Sequence, residues 1–321
     1  MYERHYGLSG PPFQLTPDNR FFYKSAGHAR AIAHLTFGLA QGEGFIIVTG
    51  EVGAGKTTLI ERLLSQLDRA AYVVAHVNTT QVSGDDLFRL ALAGFGVDLA
   101  DAGASKAGLL LRLAEALREH RQNGRRCLLV VDEAQNLSLS ALEELRMLSN
   151  ITEAGRASLQ TILLGQPQFR TMLASSDLDQ LRQRVLASFH LGPLSGDETR
   201  GYILHRLGTV GWHDRPHFED AAFAAVHQHT GGVPRRINRL CGRLLLYGAL
   251  EGTDTLTAAM VEATAGELAA DLTGTTPGHD PAADPAVERD LTSRVAALEA
   301  KLAQRDRVFQ RLLDVLGSGE G

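Results

Sequence analysis

Continuous apolar runs punctuate the first two hundred residues. They read GFIIVTG (44–50), AYVVAHVN (71–78), RCLLVVDEAQ (126–135), SLQTILLGQ (158–166) and VLASFHLGPL (185–194). GFIIVTG and RCLLVVDEAQ predict buried strands, and the other three runs predict strands as well. Between them the apolar positions fall at helical spacing. Ala29, Ile32, Ala33, Leu35 and Leu39 predict a helix that stops at Gly42. KTTLIERLLSQL, the segments around 84–95 and 105–121, and SALEELRMLSN predict four more. Strands alternating with helices predict an α/β fold: a parallel sheet with helices on both faces and a ligand at the carboxyl edge of the strands.

Beyond Pro193 the strand-like runs cease. Residues 195–210, 217–230, 234–250 and 256–270 all read as helices, broken at Gly211, Gly231-Gly232-Val233-Pro234 and Gly252-Thr253. This predicts a small all-helical module. TGTTPGHDPAADP (273–285) has the composition of a linker. In 286–316 the apolar residues Leu291, Val295, Leu298, Leu302, Phe309, Leu312 and Leu316 step by four and three, with Arg305 in the one missing seam position. That spacing predicts a short coiled-coil seam, or a single amphipathic helix docked on the body. At the other end, Tyr2, Tyr6, Phe13, Phe21, Phe22 and Tyr23 make residues 1–25 an irregular arm expected to pack on a domain.

Composition narrows the function classes. The 321 residues are 44% hydrophobic and 21% charged, with a net charge of −5. The acidic balance argues against default nucleic-acid binding. Two isolated cysteines, Cys127 and Cys241, form neither a disulfide framework nor a zinc spacing, and the expected setting is reducing. His227 and His229 lie two apart and do not share a helix face for a metal. Trp212, at a helix break, is expected in the core of the helical module. No run approaches the ~20 apolar residues of a membrane span. The chain is expected to be soluble and cytoplasmic, peripheral at the inner face of a membrane only through a partner.

The chemistry is concentrated at two strand ends. Gly50–Thr57 reads G-x-x-x-x-G-K-T, between a buried strand and an amphipathic helix. In such a loop the backbone of Gly50, Glu51, Val52, Gly53, Ala54 and Gly55 curls around phosphates, and Lys56 adds positive charge. Thr57 offers a hydroxyl to Mg²⁺, and Thr58 continues the helix whose positive end faces the ligand. Asp132 and Glu133 end the third strand. Asp132 is expected to join Thr57 in holding Mg²⁺, and Glu133 to polarise the attacking water. ATP and Mg²⁺ are thus the expected ligands.

GEVGAGKT together with VVDEAQ resembles the AAA+ ATPases, in an order of motifs that covers about residues 1–270. The resemblance implies ATP hydrolysis and assigns further roles. Gln166, in LQTILLGQPQF, takes the polar sensing position on the fourth strand. Arg182 and Arg184, in LDQLRQRV, are arginine-finger candidates that a neighbouring subunit would supply, which implies a homo-oligomer. Arg235, in TGGVPRRINRLC, takes the sensing position of the helical lid. The arm, DEAQNLS, LEELRMLSN and LLGQPQFR are more closely similar to the general secretion pathway protein A-like group. Within it they are nearest the secretion ATPases that accompany exosortase/PEP-CTERM and exopolysaccharide loci. Secretion or polysaccharide-export components are then the implied partners.

The expected organisation is an arm and first helix in 1–44, an ATPase core in 45–194, a lid in 195–272, a linker in 273–285 and a tail in 286–321. Three readings stand at this level. One is an ATPase serving envelope export or exopolysaccharide secretion. Another is a DNA-associated ATPase of transposition-helper type, with Arg235, Arg236, Arg239 and Arg243 on phosphates. The third is a nucleotide-dependent scaffold assembled through the tail. Arg182 and Arg184 also admit a plainer role, pairing with Asp177 or Asp179 on a solvated helix face.

Overall fold

The structure, a computed structural model, describes residues 2–16, 18–78, 84–98, 105–153 and 155–273. The coiled-coil expectation for 286–316 lies outside them. The chain divides into two compact units, Met1–Ala265 and Gly266–Gly321.

The arm carries a short helix, α1 (Tyr2–Tyr6), and a single 3-10 turn at Asn19–Phe21 before α2 (Ala26–Gln41). Then follow β1 (Phe45–Gly50), α3 (Lys56–Leu64), β2 (Tyr72–Asn78), α4 (Gly84–Gly94), α5 (Lys106–Gln122), β3 (Arg126–Asp132) and α6 (Leu139–Leu148). A two-residue hairpin, β4 (Thr152–Glu153) and β5 (Arg156–Ala157), precedes β6 (Leu159–Gly165), α7 (Pro167–Leu173), α8 (Asp179–Arg182) and β7 (Val185–Leu191). The last stretch holds α9 (Gly196–Thr209), β8 (His217–Phe218), α10 (Asp220–Thr230), α11 (Pro234–Leu250), β9 (Thr255–Leu256) and α12 (Ala258–Thr273).

The central sheet has the order β2-β3-β6-β1-β7, and every pair in it is parallel. Successive side chains of a strand leave on opposite faces, so each run feeds two cores. Phe45, Ile47, Ala75, Val77, Leu129 and Val131 pack with Leu87, Leu109, Leu113 and Leu142 on one face. Ile46, Val48, Leu128, Val130, Ile162 and Leu164 pack with Leu35, Leu59 and Ile60 on the other. Burying each large side chain stabilises the fold by about 1.5–3 kcal/mol before the entropy of ordering it is counted. The parallel register brings the ends of β1, β3 and β6 to one edge, since Thr49 pairs with Gly165 and Val131 with Leu163.

The region after Pro193 is dominated by helices, with one addition that helical periodicity did not predict. His217 and Phe218 pair in parallel with Thr255 and Leu256, so the helix expected from 217 begins at Asp220. The arm docks on these helices. The Tyr6 hydroxyl donates to the Thr253 carbonyl at 3.1 Å, and the Ser9 N–H donates to the Val210 carbonyl at 2.9 Å. Arg206 of α9, 6% exposed, donates to the carbonyls of Pro12 and Gln14 and lies 4.5 Å above the Phe21 ring. Trp212, expected in the core, is half-buried; its indole N–H donates to the Pro216 carbonyl at 2.9 Å.

Candidate nucleotide site

The loop from Gly50 to Lys56 leaves β1 at the strand-end edge. Gly53 (φ 82°) and Gly55 (φ 98°) adopt left-handed backbone conformations open to glycine at little cost. Lys56, 6% exposed, begins α3 and folds its ammonium back onto the loop, donating to the carbonyls of Gly50 at 2.8 Å and Glu51 at 3.1 Å. Burial lowers its pKa, opposed by the carboxylates of Glu133, Asp132 and Glu51. A lysine held this way is a preorganised cation beside the loop's N–H groups.

One residue further along, the Thr57 hydroxyl donates to Asp132 Oδ2 at 2.8 Å. Asp132 is 7% exposed, and its Oδ1 accepts the Glu133 N–H at 2.8 Å. Two hard oxygen groups from different elements thus meet at the mouth of the loop. This donor set suits Mg²⁺, which takes few protein oxygens and keeps several waters.

Glu133 sits at φ 54° and ψ 40°, a left-handed conformation costing a non-glycine residue roughly 1–2 kcal/mol. The turn swings its carboxylate out of line with β3. Glu133 Oε2 accepts from the Gln166 amide at 3.0 Å and from the Gln135 amide at 2.5 Å. Gln135 in turn accepts the Gln166 N–H at 2.9 Å, so the segments that follow β3 and β6 hold the group between them. Burial pushes the Glu133 carboxyl up, but the hydrogen bonds from Gln166 and Gln135 and the Lys56 charge outweigh it and hold the pKa below the ordinary value. Gln135 was not singled out from the sequence, although it lies in the same DEAQ stretch; its part depends on the tight turn after Glu133.

Lys56, Thr57 and Glu133 face a cavity of about 390 Å³ lined also by the rest of the loop from Val52 to Thr58, by arm residues around Phe21–Tyr23, and by Tyr202, Arg206, Arg235 and Asn238. That volume falls in the range of small-molecule sites. Arg235 lies at the start of α11, and its backbone N–H donates to the Gly53 carbonyl at 3.2 Å. Arg236, Arg239 and Arg243 are exposed along the same helix.

Arg182 and Arg184 lie elsewhere. The Phe45 N–H donates to the Arg184 carbonyl at 3.0 Å, which places Arg184 at the strand-start edge, one six-residue strand from the loop. At about 3.3 Å per residue the separation is roughly 20 Å. The Arg184 guanidinium donates to Ser149 Oγ at 3.3 Å; that of Arg182 donates to the Leu173 carbonyl at 3.1 Å and pairs with Asp179. Neither reaches the phosphate loop of its own chain. His227 bonds Thr199 and His229 bonds Glu262, so the two point to different partners. Burial pushes the Cys127 thiol up to about 12 and raises Cys241 further, so neither is a reactive thiolate.

Residues 39–173 match the family described as AAA domain. The chain is 36% identical over 273 residues to General secretion pathway protein A of Aeromonas hydrophila, covering 84% of this chain and 49% of that protein. The chain therefore spans about half the length of that curated relative. Two archaeal structures are similar. One is Cdc6p of Pyrobaculum aerophilum, with a TM-score of 0.64 at 17% identity over 78% of this chain and 71% of that one. The other is the ORC2 protein of Aeropyrum pernix in its ADPNP-ADP complexes, with a TM-score of 0.62 at 17% identity over 80% of this chain and 71% of that one. The chain has the P-loop AAA fold, and the matched residues 39–173 contain the phosphate loop, Asp132, Glu133 and Gln166.

Proposed function

We propose that the chain is a Mg²⁺-dependent ATPase of the general secretion pathway protein A-like group. The observation that carries this reading is the constellation of Lys56, Thr57, Asp132, Glu133 and Gln166 at one sheet edge. In this reading Gly50–Thr58 hold the triphosphate and Lys56 moves from its own loop carbonyls to the β- and γ-phosphates. Thr57 and Asp132 hold Mg²⁺, which supplies charge neutralisation on the phosphate oxygens. Glu133 orients the water whose oxygen attacks the γ-phosphorus while the bond to the β–γ bridging oxygen breaks. The ionised carboxylate accepts the hydrogen bond of that water. Gln166 and Gln135 fix its direction and so report γ-phosphate occupancy to β6.

Residues 45–194 serve as the hydrolytic core and 195–272 as a lid, with Arg235 reaching the γ-phosphate from the lid. Arg184 or Arg182 enters the site of an adjacent copy, supported by their place at the opposite sheet edge. The 36% identity over 84% of the chain to General secretion pathway protein A supports a role in powering or switching envelope protein export, and we extend that role to exopolysaccharide secretion on the motif resemblance alone. That role includes the machinery of exosortase-linked loci, and the ATPase would act from the cytoplasmic side and reach the membrane through a partner.

Purified chain with Mg²⁺ and ATP tests the chemistry: turnover lost in Glu133→Gln with ATP binding kept, and binding lost in Lys56→Ala. Wild-type turnover by Glu133→Gln would remove Glu133 from its role. Capture on the ATP-locked Glu133→Gln chain tests the process; recovery of no export or polysaccharide-assembly component counts against it.

A further inference from the structure

We infer that His28, outside every motif of the nucleotide site, is a nucleotide-contacting residue of that cavity. The inference rests on the proposed nucleotide reading and adds a residue to it. His28 lies in the first turn of α2, 7% exposed, and lines the cavity beside Phe22, Tyr23 and Gly55. Its ring packs edge-on to Phe22, with centroids 5.5 Å apart. The Nε2 atom is the nearest heavy atom to where a Cβ on Gly55 would stand, at 3.1 Å. The imidazole is therefore seated directly against the phosphate loop.

The other side of the ring fixes its tautomer. Ser25, the N-cap of α2, accepts the His28 backbone N–H at 3.2 Å and its Oγ lies 2.8 Å from His28 Nδ1. Ser25 is 4% exposed, so its hydroxyl proton needs a buried acceptor. Nδ1 is the acceptor in reach, and the ring proton then sits on Nε2. Nε2–H is then a donor beside Gly55 at the cavity wall, and among the described residues the ring's hydrogen bond is the one at Nδ1.

The position selects what Nε2 meets. Gly55 belongs to the part of the loop whose N–H groups cradle the α- and β-phosphates. The γ-phosphate end is defined by Lys56, Glu133 and Gln166. His28 therefore contacts the portion of the ligand common to ADP and ATP. The turn carrying it is held from the helical module as well: the Ala26 N–H donates to Glu198 Oε1 at 2.8 Å, and Glu198 Oε2 accepts the Ser195 N–H at 3.0 Å within the capping box of α9.

The test is calorimetric titration of the full chain with MgADP and with a non-hydrolysable MgATP analogue. His28→Phe keeps the ring and removes the donor; it should weaken both ligands by a similar factor, roughly ten- to hundredfold. His28→Gln, which replaces the donor, should recover most of the loss. Wild-type affinity for ADP in a folded His28→Phe chain overturns the inference. Failure of the wild-type chain to bind either nucleotide, as Lys56→Ala should fail, instead overturns the nucleotide reading beneath it. A second measurement needs no stable Phe variant. In ¹⁵N-histidine-labelled wild-type chain, the His28 Nε2 resonance, identified by its loss in His28→Gln, should move on adding MgADP. A resonance that stays in place at saturating MgADP also overturns the inference.

Discussion

The backbone N–H of Arg235 donates to the carbonyl of Gly53 at 3.2 Å, seating the first turn of α11 on the phosphate loop. Gly53 permits this twice over. Its φ of 82° suits glycine, and any Cβ would collide with the Arg235 side chain. Gly53→Ala should therefore separate the helix from the loop, at about 1–2 kcal/mol for the backbone alone. A fall in melting temperature together with at least tenfold weaker ATP binding is the expected result. Unchanged binding would show that the contact does not shape the site.

Lys56 rests on the carbonyls of Gly50 and Glu51 at 2.8 and 3.1 Å. Nucleotide binding exchanges these partners for phosphate oxygens. Lys56→Ala should lower MgATP affinity by two orders of magnitude or more while changing the melting temperature of the free chain by only a few degrees. Calorimetry beside thermal unfolding checks both halves.

Glu133 is kept below the ordinary carboxylate range by the hydrogen bonds from Gln166 and Gln135 and by Lys56, against the upward push of burial. Removing a donor to the ionised form destabilises that form and raises the pKa. Gln166→Ala should therefore move the acid limb of the kcat profile to higher pH and lower the plateau. Glu133→Gln should cost ~10²–10⁴ in kcat on the plateau, where the wild-type carboxylate is ionised, and show no acid limb of its own. An acid limb at the same pH in both wild type and Gln166→Ala would show that this hydrogen bond does not set it.

Arg206 holds the Pro12 and Gln14 carbonyls and the Tyr202 hydroxyl, and the Tyr202 hydroxyl donates to Asn238 at 2.8 Å. Arg206→Leu leaves these buried acceptors without their donor, at roughly 1–3 kcal/mol for each group left unsatisfied. Faster proteolytic cleavage within residues 1–25 and a lower melting temperature are expected. An arm as protected as in the wild type would mean that the aromatic contacts suffice.

Arg184 lies about a strand's length from its own phosphate loop, roughly 20 Å at 3.3 Å per residue. If it completes a neighbour's site, Arg184→Ala alone should lose up to ~10³ in rate. Mixing it with Glu133→Gln should restore part of the activity, because one mixed interface carries both intact groups. Lack of recovery across all mixing ratios, with Arg182→Ala behaving alike, would remove both arginines from the site.

The sequence by itself determined the layers, the phosphate loop and the pair Asp132–Glu133. Apolar runs, helical spacing and the glycine pattern are local, and each states its conformation within a few residues. The direction of Glu133 is not local: it follows from a left-handed turn and from amides at Gln135 and Gln166, each just past the end of a different strand. Nor could composition show that the arm packs on α9 and α11 rather than on the sheet, since aromatic residues bury equally well on either. The parallel pairing of His217–Phe218 with Thr255–Leu256 was hidden by its length, two residues on each side. Tertiary structure alone placed His28 against Gly55, Arg235 on Gly53, and Arg182 and Arg184 at the far edge. Contacts such as Thr57 to Asp132, 75 positions apart, arise only when the sheet register brings distant strand ends to one side.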